Sequence, residues 1–308
     1  MKKSFSLFIF SFIVFILLSS ASNLGLITKQ VEYKNDLIKK KNSLIKLHKK
    51  LGKPGPHDWL AKHDEPGETF EEYLDLDPIL PTEKKKYLYI SQLGELTSQE
   101  KEILKITEEF LAVYFNIPVK EGDIIATSKI PKKMRRKSPI DGTLQFNTRY
   151  ILYDILLKKI PNDAAAYFAI TQDGLWPGPG WNYVHGEASL WNRVAVCSLW
   201  NYGSPIKDGK INKKFLIRVL KLTSHEMGHM FSMNHCIKYE CNMCGGNHIA
   251  EMDRYPLWLC PECMAKICWL TKLTPEERYE NLKRFYKKYG LDREYDFCNK
   301  SLRIIKDK

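Results

Sequence analysis

Residues 225–236 read His225-Glu226-Met227-Gly228-His229-Met230-Phe231-Ser232-Met233-Asn234-His235-Cys236. Upstream, Asn212 is a residue type that caps helices, and Phe215, Val219 and Leu222 recur on one helical stripe. The stretch therefore predicts a helix that carries His225 and His229 near its end. Side chains four apart project from the same side of a helix, so both imidazoles can place a nitrogen about 2.0 to 2.1 Å from one Zn2+. Glu226 is badly placed to be a third ligand but well placed to accept a proton from a water and pass it on. The bland reading of these residues is two helix-surface histidines beside an incidental glutamate. His235, six residues after His229, argues against it, because a chain that leaves the helix and turns back brings a third imidazole to the same metal. Three histidines and one water make a coordination sphere with one open position.

The pattern H-E-x-x-H is that of zinc peptidases, and with His235 the spacing resembles that of the metzincins. In those the chain commonly turns at a glycine three residues after the second histidine. Here that position is Ser232, where a left-handed conformation costs on the order of 1 to 2 kcal/mol; Asn234 takes such geometry more easily. A second pattern begins at once, with Cys236, Cys241 and Met243, then Cys260-Pro261-Glu262-Cys263. From His225 to Cys263 the chain closely resembles the archaemetzincins, zinc metallopeptidases whose signature joins H-E-x-x-H-x-x-G-x-x-H-C-x4-C-x-M to C-x-x-C. Gly67-Glu68-Thr69-Phe70, Pro177-Gly178-Pro179-Gly180-Trp181-Asn182 and Gly246-Asn247-His248 also look like the family. The likeness covers roughly residues 54–285 as a metallopeptidase domain. It sets apart residues 1–21, a Lys-rich segment 22–53 and a C-terminal tail 286–308.

The resemblance implies an α+β, metzincin-like zincin fold, in which a twisted mixed sheet with two long helices forms an upper lobe and a small zinc-stabilised lower lobe follows the third histidine. It implies an edge strand near Tyr183 to Ser189, where an extended substrate adds by backbone pairing, and Met243 beneath the catalytic zinc. It also implies a second, structural zinc on Cys236, Cys241, Cys260 and Cys263, hence two Zn2+ per chain. The residues alone leave that second site open, since six cysteines cluster there, Cys241 and Cys244 form another C-x-x-C pair, and fifteen sets of four exist. Cys197, Cys244, Cys268 and Cys298 receive no role.

The activity implied is hydrolysis of peptide bonds by a zinc-activated water, with Glu226 as general base and then acid. Aminopeptidase action is one form of it, with Glu187 binding a substrate amine. One alternative is a catalytically impaired, zinc-stabilised peptide-binding pseudoenzyme, for which Ser232 is the departure that matters. Another is a nucleic-acid-binding zinc module, which needs basic residues around the cysteines. The densest basic run, nine Lys between Lys29 and Lys53, lies far from them.

Composition fits this picture. With 308 residues, 44% of them hydrophobic and 27% charged, the chain is neither disordered nor fibrous and is long enough for a core without disulfide staples. Six of the eight Cys fall within 33 residues and four of the eight His within 24, a clustering that signals metal coordination before disulfides. The net charge of +12 is largely local and reads as a solvated helical face. Lys2 and Lys3 precede an uncharged apolar run from Phe5 to Leu18, followed by Ser19, Ser20 and Ala21. That is the pattern of a signal peptide or, uncleaved, a signal anchor, although the run is shorter than the roughly 20 residues of a membrane span. The expectations are a secretory or extracellular protein, with a membrane-anchored or cytoplasmic one as the alternative, and a monomer whose partner is a peptide or protein substrate.

The remaining pattern predicts an amphipathic or marginal helix over Lys29 to Leu51, an appendage to the domain, with Leu37, Leu44 and Leu47 at helical spacing. It predicts a strand over Lys86 to Leu93, a helix from Ser98 to about Phe115, and a second helix over Phe146 to Lys158 with Tyr150, Tyr153 and Leu157 on one face. A buried strand over Ala164 to Thr171, a Pro/Gly turn, and two short strands over Trp181 to Glu187 and Val194 to Leu199 follow. His185 reads as an ordinary strand histidine and His248 as a structural hydrogen-bonding group near the cysteines. Trp176 and Trp181 read as packing residues.

Overall fold

The structure, a computed structural model, describes residue 25 and residues 27–307. The signal-peptide or anchor reading of residues 1–21 falls outside the described residues.

The strands of the two larger sheets are β1 (Tyr87–Gln92), β2 (Val119–Glu121), β3 (Arg135–Lys137), β4 (Leu144–Asn147), β5 (Ala164–Thr171), β6 (Gly174–Trp176), β7 (Gly186–Ala188) and β8 (Val194–Ser198). Five of them form one sheet in the order β2-β1-β5-β8-β7. All its pairings are parallel except that of β7, which runs antiparallel to β8 at the edge. Every residue of β5 is buried, as its continuous apolar run requires when both faces of a strand are covered. Ala166, Phe168 and Ile170 join the larger core, while Tyr167 and Ala169 join a second core on the opposite face, the period of two that a pleated strand dictates.

Two helices of 18 residues cover the larger core side: α3 (Ser98–Phe115) and α5 (Lys213–Met230). They follow α1 (27–44) and α2 (Phe70–Asp75), with the short α4 (Thr148–Tyr150) between them. Thr97 caps α3 through a reciprocal box with Glu100, one residue before the start read from Ser98. The cap of α5 is Asn212, whose side chain accepts from Lys214 N.

The second predicted helix is corrected. Phe146 and Asn147 belong to β4, which pairs with β3 and β6 in a separate small sheet. Asn147 then accepts from Tyr150 N to open α4, which widens into a π-helical turn over Ile151–Leu156. The wider turn lets both apolar doublets, Ile151-Leu152 and Ile155-Leu156, pack on the sheet, and Tyr153 is left exposed. The strand expected from Trp181 shortens to β7, because the turn built on Pro177 and Pro179, which lack backbone donors, extends further along the chain.

After Phe231 a loop runs to His248, and the elements beyond it are helices: α6 (Ile249–Arg254), α7 (Pro261–Thr271), α8 (Pro275–Lys288) and α9 (Asp292–Lys306). This lobe is larger than expected, because both segments set apart from residues 54–285 pack into it. From α1, Leu37 and Leu44 are fully buried, and Lys41 bridges Glu71 and Glu262 at 2.8 Å each. From α9, Phe297 and Leu302 are buried, and Phe297 stacks on Trp258 with ring centroids 4.2 Å apart. The apolar stripe of α1 was visible in its sequence; the surface that receives it was not.

Candidate metal centre

The end of α5 makes the site. Ser232 N donates to His229 O and Met233 N to Gly228 O, at 2.9 and 3.1 Å, the pair of bonds of a Schellman closure. That closure needs a left-handed residue at Ser232, and its φ is +64°. The strain of about 1 to 2 kcal/mol is met by two bonds: Ser232 Oγ donates to Leu190 O at 3.1 Å and accepts from Ile79 N at 3.2 Å, each worth about 1 kcal/mol net. Asn234 is not left-handed. Its backbone N–H and side-chain amide instead donate to Glu68, at 2.8 and 3.0 Å.

The turn brings His235 back to His225 and His229, with ring centroids 4.6 to 5.2 Å apart. Each Nδ1 faces an acceptor: Asn242 O at 2.8 Å for His225, Met233 O at 2.6 Å for His229, and Glu65 Oε1 at 2.8 Å for His235. The Nδ1 atoms therefore carry the protons and the Nε2 lone pairs are free. Those of His225 and His229 face each other at 3.0 Å, close to the edge of about 3.3 Å of a tetrahedron with bonds of 2.0 to 2.1 Å. Two facing lone pairs repel unless a cation lies between them, so the residues fit a zinc ion. Burial pushes His225 down to about 3 and His229 well below the ordinary value, which keeps both in the neutral, ligating form.

Glu226, in the same turn, reaches toward the edge strand. A Cβ on Gly186 would lie 2.4 Å from Glu226 Oε1, so the absence of a side chain in β7 makes room for the carboxylate. Burial first, and the charge of Glu187 second, push Glu226 up to about 8. The three histidines, Glu226 and residues 183–188 line one cleft of about 340 Å3. Met243 packs under this turn of α5: a Cβ on Gly228, the residue before His229, would meet its Sδ at 2.7 Å.

The cysteine cluster lies behind. Of the possible sets, Cys236, Cys241, Cys260 and Cys263 converge, all buried, with their sulfurs within 4.8 Å of one another. Met243 N and Cys260 N donate to Cys241 Sγ at 3.5 and 3.1 Å, bonds that a metal-bound sulfur would keep. Four thiolates close a zinc sphere with no open position, and the chemistry of the set fits that ion. Cys244 Sγ turns to Tyr239 O at 3.2 Å and Cys268 Sγ lies against Met264 Sδ at 3.5 Å. Cys197 and Cys298 are buried and free.

A third set of donors, Asp58, His248 and Glu251, is already satisfied. His248 Nδ1 caps α6 by accepting from Glu251 N, and Asp58 accepts from Gly55 N and Arg254. Glu251 accepts from Trp59 N, Asn247 N and Tyr255 OH. His248 is structural, as its sequence suggests. His185 lines the cleft and is buried with neither ring nitrogen bonded. Trp181 also lines it, near Trp59 and parallel to the ring of His63. Trp59, Glu65 and Glu68 escaped the sequence reading as neighbours of the histidines, because nothing in their spacing places them there.

The model of Peptidase family M54 matches residues 167–268. Archaemetzincin-2 of Homo sapiens is 31% identical over 262 residues, covering 75% of this chain and 72% of that protein. Archaemetzincin-1 of Homo sapiens is 24% identical over 261 residues, or 73% of this chain and 51% of that protein. The crystal structure of the archaemetzincin from Methanopyrus kandleri superposes with a TM-score of 0.50 at 25% identity, covering 63% of this chain and 99% of that one. With the mixed sheet and these convergent donor groups in place, the chain belongs to the archaemetzincin family and is a zinc metallopeptidase.

Proposed function

We propose that His225, His229 and His235 hold one zinc at which peptide bonds are hydrolysed with Glu226 as general base and then general acid, and that Cys236, Cys241, Cys260 and Cys263 hold a second, structural zinc. The observation that carries this reading is the convergence of three imidazoles beside a buried carboxylate facing an edge strand. Bound zinc would polarise the scissile carbonyl and acidify the attacking water. Glu226 takes the proton of that water and delivers it to the departing amine, and Gly186 leaves it the space to swing between the two.

Substrate orientation falls to β7. Ser198 N bonds to His185 O and Ser189 N to Val194 O, so this register directs the backbone of Gly186 and Ala188 away from β8. An extended peptide pairing with those groups lies across the histidines. Glu187 favours a second reading, aminopeptidase action, since it is a half-buried acid lining the cleft. Its carboxylate is engaged by Thr148 and lies 3.9 Å from Arg149, so cutting within the chain is the primary proposal. The pseudoenzyme alternative loses its motive, because Ser232 adopts the conformation that the third ligand requires.

The test is to incubate protein beginning near Ser22 with a diverse peptide mixture and read the products by mass spectrometry, with Glu226→Ala as control. Cleavage by the parent alone is expected, and the product ends separate internal cutting from N-terminal trimming. Equal cleavage by both, or none with two zincs bound, overturns the proposed mechanism. We further propose that residues 1–21 direct the chain into the secretory pathway as a signal peptide, which a mature N-terminus near Ser22 would support and an intact Met1 would refute.

A further inference from the structure

The three histidines are not held alike. His225 and His229 stand on α5, and their Nδ1 atoms bond backbone carbonyls that no substitution removes. His235 stands on the returning loop, and its Nδ1 bonds the carboxylate of Glu65 at 2.8 Å, 170 residues earlier in the chain. The same Glu65 Oε1 accepts from Trp59 Nε1 at 2.7 Å, and the Trp59 ring meets the His235 ring edge-on at 5.2 Å. Three residues on, Glu68 takes the backbone and side-chain donors of Asn234. Glu68 is itself fixed by Lys266 of α7 at 2.8 Å in a fully buried pair. Between the two acids, Gly67 has φ of +62°, and a Cβ there would lie 2.6 Å from Ile237 Cγ1. Residues 65–68 thus lie along residues 234–237 as a strap, and only a glycine at its middle permits the close approach.

We propose that Glu65 is a positioning residue for the open metal site: its carboxylate fixes the tautomer and ring plane of His235 and raises the basicity of the Nε2 offered to zinc. This rests on the zinc reading above and adds to it the group on which the third ligand depends. A carboxylate on the far nitrogen of a ligating histidine is worth about 10- to 100-fold in metal affinity. The Glu68 clamp sets where the loop lies, and Glu65 sets how the imidazole faces. Because the strap precedes the metal ligands by more than half the chain, the affinity of the site depends on the N-terminal part of the fold having docked.

The experiment measures metal affinity rather than turnover. The full chain is loaded with zinc and titrated with a competing chelator, in parallel with cobalt substitution, whose thiolate charge-transfer absorption reports the four-cysteine site independently. Glu65→Ala is expected to weaken zinc at the three-histidine site by about 10- to 100-fold, with cobalt–thiolate absorption unchanged. Glu65→Gln keeps an oxygen that accepts from Nδ1–H and is expected to restore most of the loss, and Trp59→Phe to show a smaller loss in the same direction. Unchanged affinity in Glu65→Ala overturns the proposal while leaving the zinc reading intact. Equal weakening of both sites also overturns it, by making Glu65 a general fold element. If His229→Ala does not lower the zinc content of the parent protein, the three-histidine reading itself fails.

Discussion

Within 39 residues, from His225 to Cys263, the chain builds two donor clusters of opposite character. The histidines are half-buried, face a cleft and leave a side open to substrate. The cysteines are buried on all sides and surrounded by core residues. The difference comes from the faces that carry them: α5 presents its histidines toward the edge strand, while the loop carrying Cys236 and Cys241 turns inward to the start of α7. Position links the two, since Cys236 follows His235 directly and its N–H bonds Met243 O at 2.8 Å. The closed cluster therefore anchors the loop on which the open one depends. If both hold zinc as proposed, one metal serves chemistry and the other serves the fold.

The largest expected effect breaks the closed cluster. Cys263→Ser should leave three thiolates around a buried cavity and, with structural zinc contributing folding free energy, cost more than about 4 kcal/mol. Soluble yield and the thermal transition check this, and a variant as stable as the parent would remove the structural role. Next, Glu226→Ala should lower kcat by about 100- to 10,000-fold, the usual share of a general acid–base group, with zinc content and thermal midpoint held near those of the parent. Loss of both zinc and turnover would make Glu226 a ligand instead. The comparison thus predicts that changes on one side move stability and changes on the other move turnover.

A smaller effect concerns pH in metal-free protein. Burial holds Glu226 up to about 8, against an ordinary value of 4.5, so the folded chain binds more protons than the unfolded one across that window, and stability falls as pH rises through it. His225 has the opposite sign, since its depressed value makes folding more favourable as pH rises toward 6.5. Above pH 6.5 the histidine contribution is nearly spent, while Glu226 still loses stability, joined up to about pH 7 by Glu108, which burial and the nearby Glu121 push up to about 7. Stability of the metal-free protein, measured by urea unfolding, is therefore expected to fall between pH 6.5 and 8, and Glu226→Gln to flatten that slope. A bound cation favours the carboxylate and opposes the trend, so the gain from zinc should grow over the same range.

Much of this site was legible because its information is local. The four-residue spacing of His225 and His229 and the cap at Asn212 follow from helix geometry, and α5 begins and ends where they require. The buried run of β5 has the bounds that its apolar residues predict. What escaped is held together by contacts between distant residues. No periodicity places Glu65 on His235, or Phe297 on Trp258. The doublets at residues 151–156 also satisfy an ordinary helical pattern, and only the sheet they pack against selects the π-helical turn. Spacing alone left the choice of four cysteines from six open, since Cys244 is spaced as well as Cys241; the family resemblance implied the four whose sulfurs converge, and Cys244 turns to Tyr239 O instead.

Ser232 gives the smallest effect and the sharpest test of how the open cluster is built. Glycine there would remove a left-handed strain of about 1 to 2 kcal/mol. It would also remove the hydroxyl that joins Leu190 O to Ile79 N, two bonds of about 1 kcal/mol each. The terms nearly cancel, so Ser232→Gly is expected to lie within about 1 kcal/mol of the parent, with zinc retained. Ser232→Ala keeps the strain and loses both bonds, leaving Leu190 O and Ile79 N short of a partner at a site only 3% exposed, for a loss of about 2 kcal/mol. Chemical denaturation of the three proteins separates the contributions. If alanine and glycine prove equally mild, the hydroxyl contributes nothing and the turn is held by the neighbouring clamp of Glu68 on Asn234 alone. If glycine is clearly stabilising, strain outweighs the hydrogen bonds, and serine is retained there at a cost in stability that the metal site tolerates.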